Sequence, residues 1–138
     1  MPPLRILVVE DDDINQIVAR RLLERRGHCV MTVGSGPDAL ALLMAEHFHC
    51  VFMDLEMPGL TGPETLSRLR DSSIFGESAT TPVIALTAHA DEGYRERMLA
   101  HGFDGYLSKP IDVRELDDAL LQVIAHDARD ADDSCGSA

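Results

Sequence analysis

Five short apolar runs, each cut off by polar or charged residues, recur along this chain between longer segments of helical spacing. Arg5–Val9 (RILVV), Cys29–Val33 (CVMTV), Cys50–Met53 (CVFM) and Pro82–Leu86 (PVIAL) are rich in β-branched residues, and Tyr106-Leu107 centres a fifth. Runs this short, bounded by turn residues, predict strands rather than helices. Between them, Ile14–Arg26, Pro37–His47, Pro63–Arg70, Glu92–Ala100 and Val113–His126 carry helical patterns. Gly27 and Gly102 suit helix stops, and Pro37 suits a first turn. Asp71–Thr81 is polar and contains a glycine, so a loop of 11 residues is expected there. Strict alternation of strand and helix predicts a mostly parallel sheet with helices on both faces. Strands buried on both sides should be uniformly apolar, as the first, third and fourth runs are.

A chain of 138 residues fits one domain, expected over 1–126, with an acidic, disordered tail over 127–138. No apolar run approaches the ~18–20 residues of a membrane span. The start, Met1-Pro2-Pro3-Leu4-Arg5, lacks the apolar stretch of a secretory signal, so a cytoplasmic setting is expected. Twelve basic residues against 24 acidic ones give a net charge of −12, which argues against direct nucleic-acid binding. Cys29, Cys50 and Cys135 form no CxxC pair, and Cys29 and Cys50 are expected to be small buried residues. His47 and His49 share one face of an extended segment, too few ligands for a metal site.

In open parallel sheets, ligands bind beyond the carboxyl ends of the strands. The residues just past each strand therefore matter most. Glu10, Asp11, Asp12 and Asp13 come after the first, and Asp54 after the third. Thr87 and Ala88 come after the fourth, and Ser108, Lys109 and Pro110 after the fifth. One polar residue after a strand is ordinary loop composition. The whole set brings carboxylates, a hydroxyl and an ammonium to one edge. Crowded carboxylates repel unless a cation sits among them, and oxygen-only ligands select Mg²⁺-like ions. Without metal, they are expected to raise one another's pKa values. A metal and a lysine together neutralise a transferring phosphoryl group, so the set suits phosphoryl transfer. There is no GxxxxGK[ST] loop, which makes ATP an unexpected donor. Asp12 and Asp13 also suit the start of a helix, where the macrodipole favours acids.

From about Leu4 to His126 the sequence resembles response-regulator receiver domains of two-component signalling. The resemblance is carried by VVEDD (Val8–Asp12), FMDLEMPGLTG (Phe52–Gly62), ALTAHA (Ala85–Ala90) and GYLSKPI (Gly105–Ile111). It implies a flavodoxin-like (βα)5 doubly wound α/β fold with a five-stranded parallel sheet in the order 2-1-3-4-5. It further implies that Asp54 accepts a phosphoryl group from a partner's phosphohistidine. Asp11 and Asp54 would ligate Mg²⁺ (or Mn²⁺) through carboxylates, Glu56 through its backbone carbonyl and Glu10 through a water. Thr87 and Lys109 would bind the phosphoryl oxygens, with Ala88 leaving room for the donor. Thr87 and Tyr106 would form the switch, although Tyr106 can also be simple packing. The Lys109-Pro110 bond would be cis.

Glu10 departs from the commoner aspartate and, with Asn15-Gln16, resembles receivers of hybrid sensor kinases. A stand-alone single-domain response regulator is the alternative. The partner implied is a histidine kinase or a histidine phosphotransfer domain. A phosphatase with an aspartyl-phosphate intermediate is a rival, since Glu56 lies two residues after Asp54, but no cap-sized insertion is present. On the first helix, Val18, Ala19, Leu22 and Leu23 form an apolar stripe expected to face the sheet. Ile17 falls opposite, Arg21 lies beside it and Ile14 sits on the margin, so these three are the expected docking residues for the partner.

Overall fold

The structure, a computed structural model, describes residues 3–88 and 91–126. The expected disordered tail, 127–138, lies outside the described residues. The elements run β1 (Arg5–Val9), α1 (Asp13–Glu24), β2 (Cys29–Val33), α2 (Gly36–Ala45), β3 (Cys50–Asp54) and α3 (Gly62–Leu69). They continue with α4 (Ser72–Phe75), a 3-10 turn (Gly76–Thr80), β4 (Val83–Thr87), α5 (Glu92–His101), β5 (Gly105–Ser108) and α6 (Val113–His126). All strand pairs are parallel, in the order β2-β1-β3-β4-β5.

Successive side chains of a strand point to opposite faces, and both faces here are covered. Ile6 and Val8 pack with Ala19, Leu23, Leu116 and Leu120, on the side of α1 and α6. Leu7 and Val9 pack with Ala39, Leu43, Leu66 and Leu69, on the side of α2 and α3. Every residue of β3 and β4 is buried, which is why those runs contain no polar alternation. The edge strand β2 behaves differently: Cys29 and Met31 are exposed while Val30 between them is buried. Cys29 therefore corrects the expectation of burial, because an edge strand is covered on one face only; Cys50, in central β3, is buried.

Polar residues at the helix starts satisfy free backbone donors. Asp12 accepts from the Asn15 N–H at 2.8 Å. Thr61 and Glu64 form a reciprocal capping box at α3. Asp91 caps α5 by accepting from the Tyr94 N–H at 2.7 Å.

Two further corrections arise from local packing. The segment 71–81 is not a plain loop but holds α4 and the 3-10 turn. Asp71 starts it by accepting from the Ser73 N–H at 3.0 Å. Arg70 closes it by donating to the carbonyls of Ala79 and Thr81 at 2.9 and 2.7 Å. On α1 the buried stripe is narrower than expected: Ala19 and Leu23 are buried and Leu22 packs beside them, but Val18 is 46% exposed. At 3.6 residues per turn, Val18 lies about 120° from the line between Ala19 and Leu23, too far round to reach the sheet.

Candidate functional site

β1 lies between β2 and β3, so the connections from its carboxyl end diverge and open a crevice above β1 and β3. Asp54 is the last residue of β3, and Glu10 comes directly after β1. Both are almost fully buried, at 3% and 2% exposure. Glu10 is held by its backbone: its N–H donates to the Val33 carbonyl at 3.0 Å. Gln16 Nε2 donates to the carbonyls of Glu10 and Val33 at 2.6 and 3.1 Å, tying the end of β1 to the end of β2. Gln16 was not expected as a positioning residue; the signal available was an amide in the helical turn after an acidic run.

Asp54 Oδ1 accepts the Glu56 N–H at 3.1 Å, which orients the carboxylate. The Asp54 backbone is approached closely by Gly62, where an added Cβ would lie 2.8 Å from the Asp54 carbonyl oxygen and from Leu55 Cα. Only glycine lets α3 start so near the strand end. Across the crevice, Lys109 Nζ donates to Glu10 Oε1 at 2.6 Å and sits 3.3 Å from Asp54 Oδ1. Its own N–H donates to the Thr87 carbonyl at 2.8 Å, and the Lys109-Pro110 bond is cis, as expected.

One carboxylate oxygen from each of Glu10, Asp11 and Asp54 lies within 4.8 Å of the other two. Asp11 is exposed, so this cluster opens to solvent on its side. Three hard oxygens on one open point suit a divalent cation that keeps waters of its own.

The carboxylates do not simply raise one another's pKa values. Burial pushes Glu10 up to about 7, Lys109 opposes this, and Asp54 adds to it. Asp54 moves the other way: burial alone would raise it, but the Glu56 N–H, the Glu10 carboxyl and Lys109 together hold it below the usual range. Burial likewise opposes the Lys109 charge, yet Glu10 and Asp54 raise its pKa. The expected mutual rise is therefore corrected, because the surrounding donors favour charge on Asp54. The acid at the end of β3 stays ionised while its neighbour is readier to hold a proton.

Thr87, the last residue of β4, is fully buried and pairs in register with Ser108. Tyr106 lies opposite Ala85 on β5, with its hydroxyl buried and unpartnered among the described residues. The guanidinium of Arg95 lies 5.7 Å from its ring centroid. Ala88 and Glu56 are exposed. Ile14 (71%), Ile17 and Arg21 are also exposed, on the outer side of α1. The two histidines go elsewhere: His49 is buried at the opposite end of the sheet, accepting the Arg5 N–H, with His47 edge-on to it.

The family model for the response regulator receiver domain matches residues 6–121. The chain belongs to the receiver family. This receiver is 36% identical over 118 residues to the sensor histidine kinase GacS of Pseudomonas protegens, a match covering 86% of this chain and 13% of that protein. It thus spans about an eighth of the length of such kinases. It is also 36% identical over 108 residues to the polar-differentiation response regulator DivK of Brucella ovis, covering 78% of this chain and 85% of DivK. Among solved structures, the receiver resembles that of the sensor histidine kinase PA1611 of Pseudomonas aeruginosa, which has a magnesium ion coordinated in its active-site cleft. That match has a TM-score of 0.79 and 32% identity, and covers 89% of this chain and 98% of the other. Another resembles it at a TM-score of 0.78 and 27% identity, covering 94% and 92%, in the Saccharomyces cerevisiae complex of the phosphotransfer protein Ypd1 with the receiver domain of Ssk1. The chain is therefore a receiver of two-component or phosphorelay signalling, similar both to receivers of hybrid kinases and to a short response regulator.

Proposed function

We propose that Asp54 accepts a phosphoryl group from a phosphohistidine on a histidine kinase or histidine phosphotransfer domain. One observation carries this reading: an ionised, nearly buried Asp54 shares a 4.8 Å carboxylate cluster with Glu10 and Asp11, and the Lys109 ammonium lies 3.3 Å away. An Asp54 carboxylate oxygen attacks phosphorus, the bond from phosphorus to the histidine nitrogen breaks, and the imidazole leaves. Lys109 and the Thr87 hydroxyl then neutralise and hold the phosphoryl oxygens. Ala88 leaves the approach open.

The donor set fits Mg²⁺ (or Mn²⁺): carboxylates of Asp11 and Asp54, the backbone carbonyl of Glu56, and Glu10 through a water. Such an ion, when bound, neutralises charge on the transferring group. Thr87 and Tyr106 form the switch, with the buried Tyr106 hydroxyl as the group whose surroundings change. Ile14, Ile17 and Arg21 form the partner's docking face on α1. The chain acts as a signalling domain that promotes only its own phosphorylation and dephosphorylation. Its likeness to GacS over nearly the whole chain, together with Glu10, favours the receiver of a hybrid kinase on the cytoplasmic side. No helix among the described residues is long and apolar enough to cross a membrane. The test is incubation with Mg²⁺ and a small acyl phosphate, then intact mass for one added phosphoryl group.

A further inference from the structure

Past Val9 the strand ladder that aims side chains runs out. The Glu10 N–H still reaches the Val33 carbonyl, at 3.0 Å, but Asp11 lies beyond it in the turn between β1 and α1. Asp11 is also the exposed member of the carboxylate cluster, while Glu10 and Asp54 are buried. Where its carboxylate sits therefore depends on what fixes the two peptide groups that flank it.

The peptide group between Asp11 and Asp12 is fixed through its N–H, which donates to Glu10 Oε2 at 3.2 Å. That acceptor belongs to the cluster itself, and its other oxygen takes Lys109 Nζ at 2.6 Å. A cation that draws on the Glu10 carboxylate competes with this bond. The peptide group between Glu10 and Asp11 is fixed differently. Its carbonyl accepts from Gln16 Nε2 at 2.6 Å, and the same amide nitrogen donates to the Val33 carbonyl at 3.1 Å. Both donor positions of the amide are thus used. An added Cβ on Gly34 would lie 3.9 Å from Nε2, so the amide also abuts the turn after β2. Gln16 is set in place by α1: its own N–H donates to the Asp12 carbonyl at 2.9 Å, and buried Ala19 and Leu23 anchor the helix. This tie uses no carboxylate, so it persists whatever charge the cluster holds.

We propose that Gln16 is a positioning residue for the divalent cation: by holding the peptide between Glu10 and Asp11, it keeps the Asp11 carboxylate in the cluster before the ion arrives. It sets the affinity for the ion and takes no part in the transfer. The inference rests on the phosphoacceptor reading given above. Without the amide, Asp11 has to be ordered as the ion binds, and that ordering subtracts from the binding free energy. Once the ion is held, Asp54, Thr87 and Lys109 stand where they stood before.

Calorimetric titration of the full chain with Mg²⁺, alongside labelling by acyl phosphate at rising Mg²⁺, tests this. Gln16→Met keeps the length of the side chain and removes its donors. Its Kd for Mg²⁺ should rise about tenfold, a loss typical for residues that orient a metal ligand. At saturating Mg²⁺ its labelling rate should stay within about twofold of the wild type, since an effect on binding alone leaves the maximal rate unchanged. Gln16→Asn, whose shorter amide cannot reach both carbonyls, should behave in the same way and serves if Gln16→Met does not fold. His49→Ala, which loosens the other end of the sheet, should leave the Kd unchanged. In an Asp11→Asn background, Gln16→Met should change the Kd by less than about twofold, because Gln16 acts through Asp11. Four results overturn the role of Gln16 alone: an unchanged Kd in both variants, a maximal rate that falls with the affinity, an equal rise of Kd in His49→Ala, or a full second loss on Asp11→Asn. A wild type that binds no Mg²⁺ or gains no phosphoryl group overturns the phosphoacceptor reading and this inference with it.

Discussion

The two ends of the sheet bury polar residues in opposite ways. At the carboxyl end, Glu10, Asp54 and Lys109 are charged or chargeable groups drawn together with Asp11 open to solvent beside them. At the amino end, His28 and His49 are just as buried, yet each imidazole completes the backbone at the start of the sheet. His28 Nδ1 accepts the Leu4 N–H at 3.0 Å, and His49 Nδ1 accepts the Arg5 N–H at 2.9 Å. Ion pairs between Arg5 and Glu46 and between Arg26 and Asp117 flank that end. At that end the Nδ1 atoms of both imidazoles meet backbone donors, while His28 Nε2 is buried without a hydrogen-bond partner among the described residues. The other end gathers more negative charge than Lys109 alone neutralises, and so suits a cation. Burial by itself therefore does not mark a functional residue; what marks it is burial with charge left to balance.

The largest expected effect breaks the comparison at the carboxyl end. Asp54→Asn should abolish the mass gain from acyl phosphate while the far-ultraviolet circular dichroism stays native. Acid-labile phosphate persisting on that variant would move the acceptor elsewhere. His49→Ala, at the other end, should leave the extent of labelling unchanged.

Metal should stabilise one end only. At a Mg²⁺ concentration 100 times the Kd, the gain is about 2.7 kcal/mol, seen as a rise in Tm. Asp11→Asn should lose most of that rise, and its loss should not add to that of Asp54→Asn, because both would serve one ion. Additive losses, or a Tm indifferent to millimolar Mg²⁺, would contradict a shared site.

His49→Ala leaves the part-buried Arg5 N–H without its acceptor, which should cost about 1 kcal/mol in urea unfolding. The cost should be the same with and without Mg²⁺. A Mg²⁺-dependent cost would mean that the two ends are coupled.

Docking should be separable from chemistry. Ile17→Glu is expected to slow transfer from the protein donor about tenfold, equivalent to ~1.4 kcal/mol. Labelling by acyl phosphate should not change. Equal slowing of both would mean that the substitution disturbed the cluster.

The smallest effect concerns pH at the amino end. Burial first, then nearby positive charge including Arg26, lowers the His28 pKa from its ordinary 6.5, with Asp117 opposing and His49 adding to the fall. A base with a lowered folded pKa binds fewer protons folded than unfolded, so its stability contribution is full above 6.5 and shrinks as pH falls below it. In chelator Glu10, raised to about 7, acts the other way, because it binds more protons folded than unfolded and adds stability as pH falls from neutral. The His28 contribution is therefore read by difference: on acidification, Tm of His28→Gln should rise relative to that of the wild type, and identical pH profiles would overturn it.

Much of this was legible along the chain. The alternation of apolar runs and helical segments determined the layered parallel fold, since strands buried on two faces admit few polar residues. The carboxylates, Thr87 and Lys109 stood out because each lies at or just past a strand end, and all parallel strands end on the same edge. Residues whose role depends on one local turn, such as the capping pair Thr61 and Glu64, can be read from a few neighbours.

What only the tertiary structure decided concerns partners far apart in sequence. Whether Lys109 bonds Glu10 or sits nearer Asp54 turns on distances of 2.6 and 3.3 Å set by three separate strands. Burial raises Glu10 against the pull of Lys109, whereas the Glu56 N–H, the Glu10 carboxyl and Lys109 outweigh burial and lower Asp54. The exposure of Cys29 depended on β2 lying at the sheet edge, and that of Val18 on how far α1 is rotated against it. The turns within 71–81 are too short to show a period, and Arg70 holds them by reaching back across the loop. Sequence determines which groups a strand delivers to an edge; distance and desolvation, which exist only once the strands are side by side, determine what those groups do to one another.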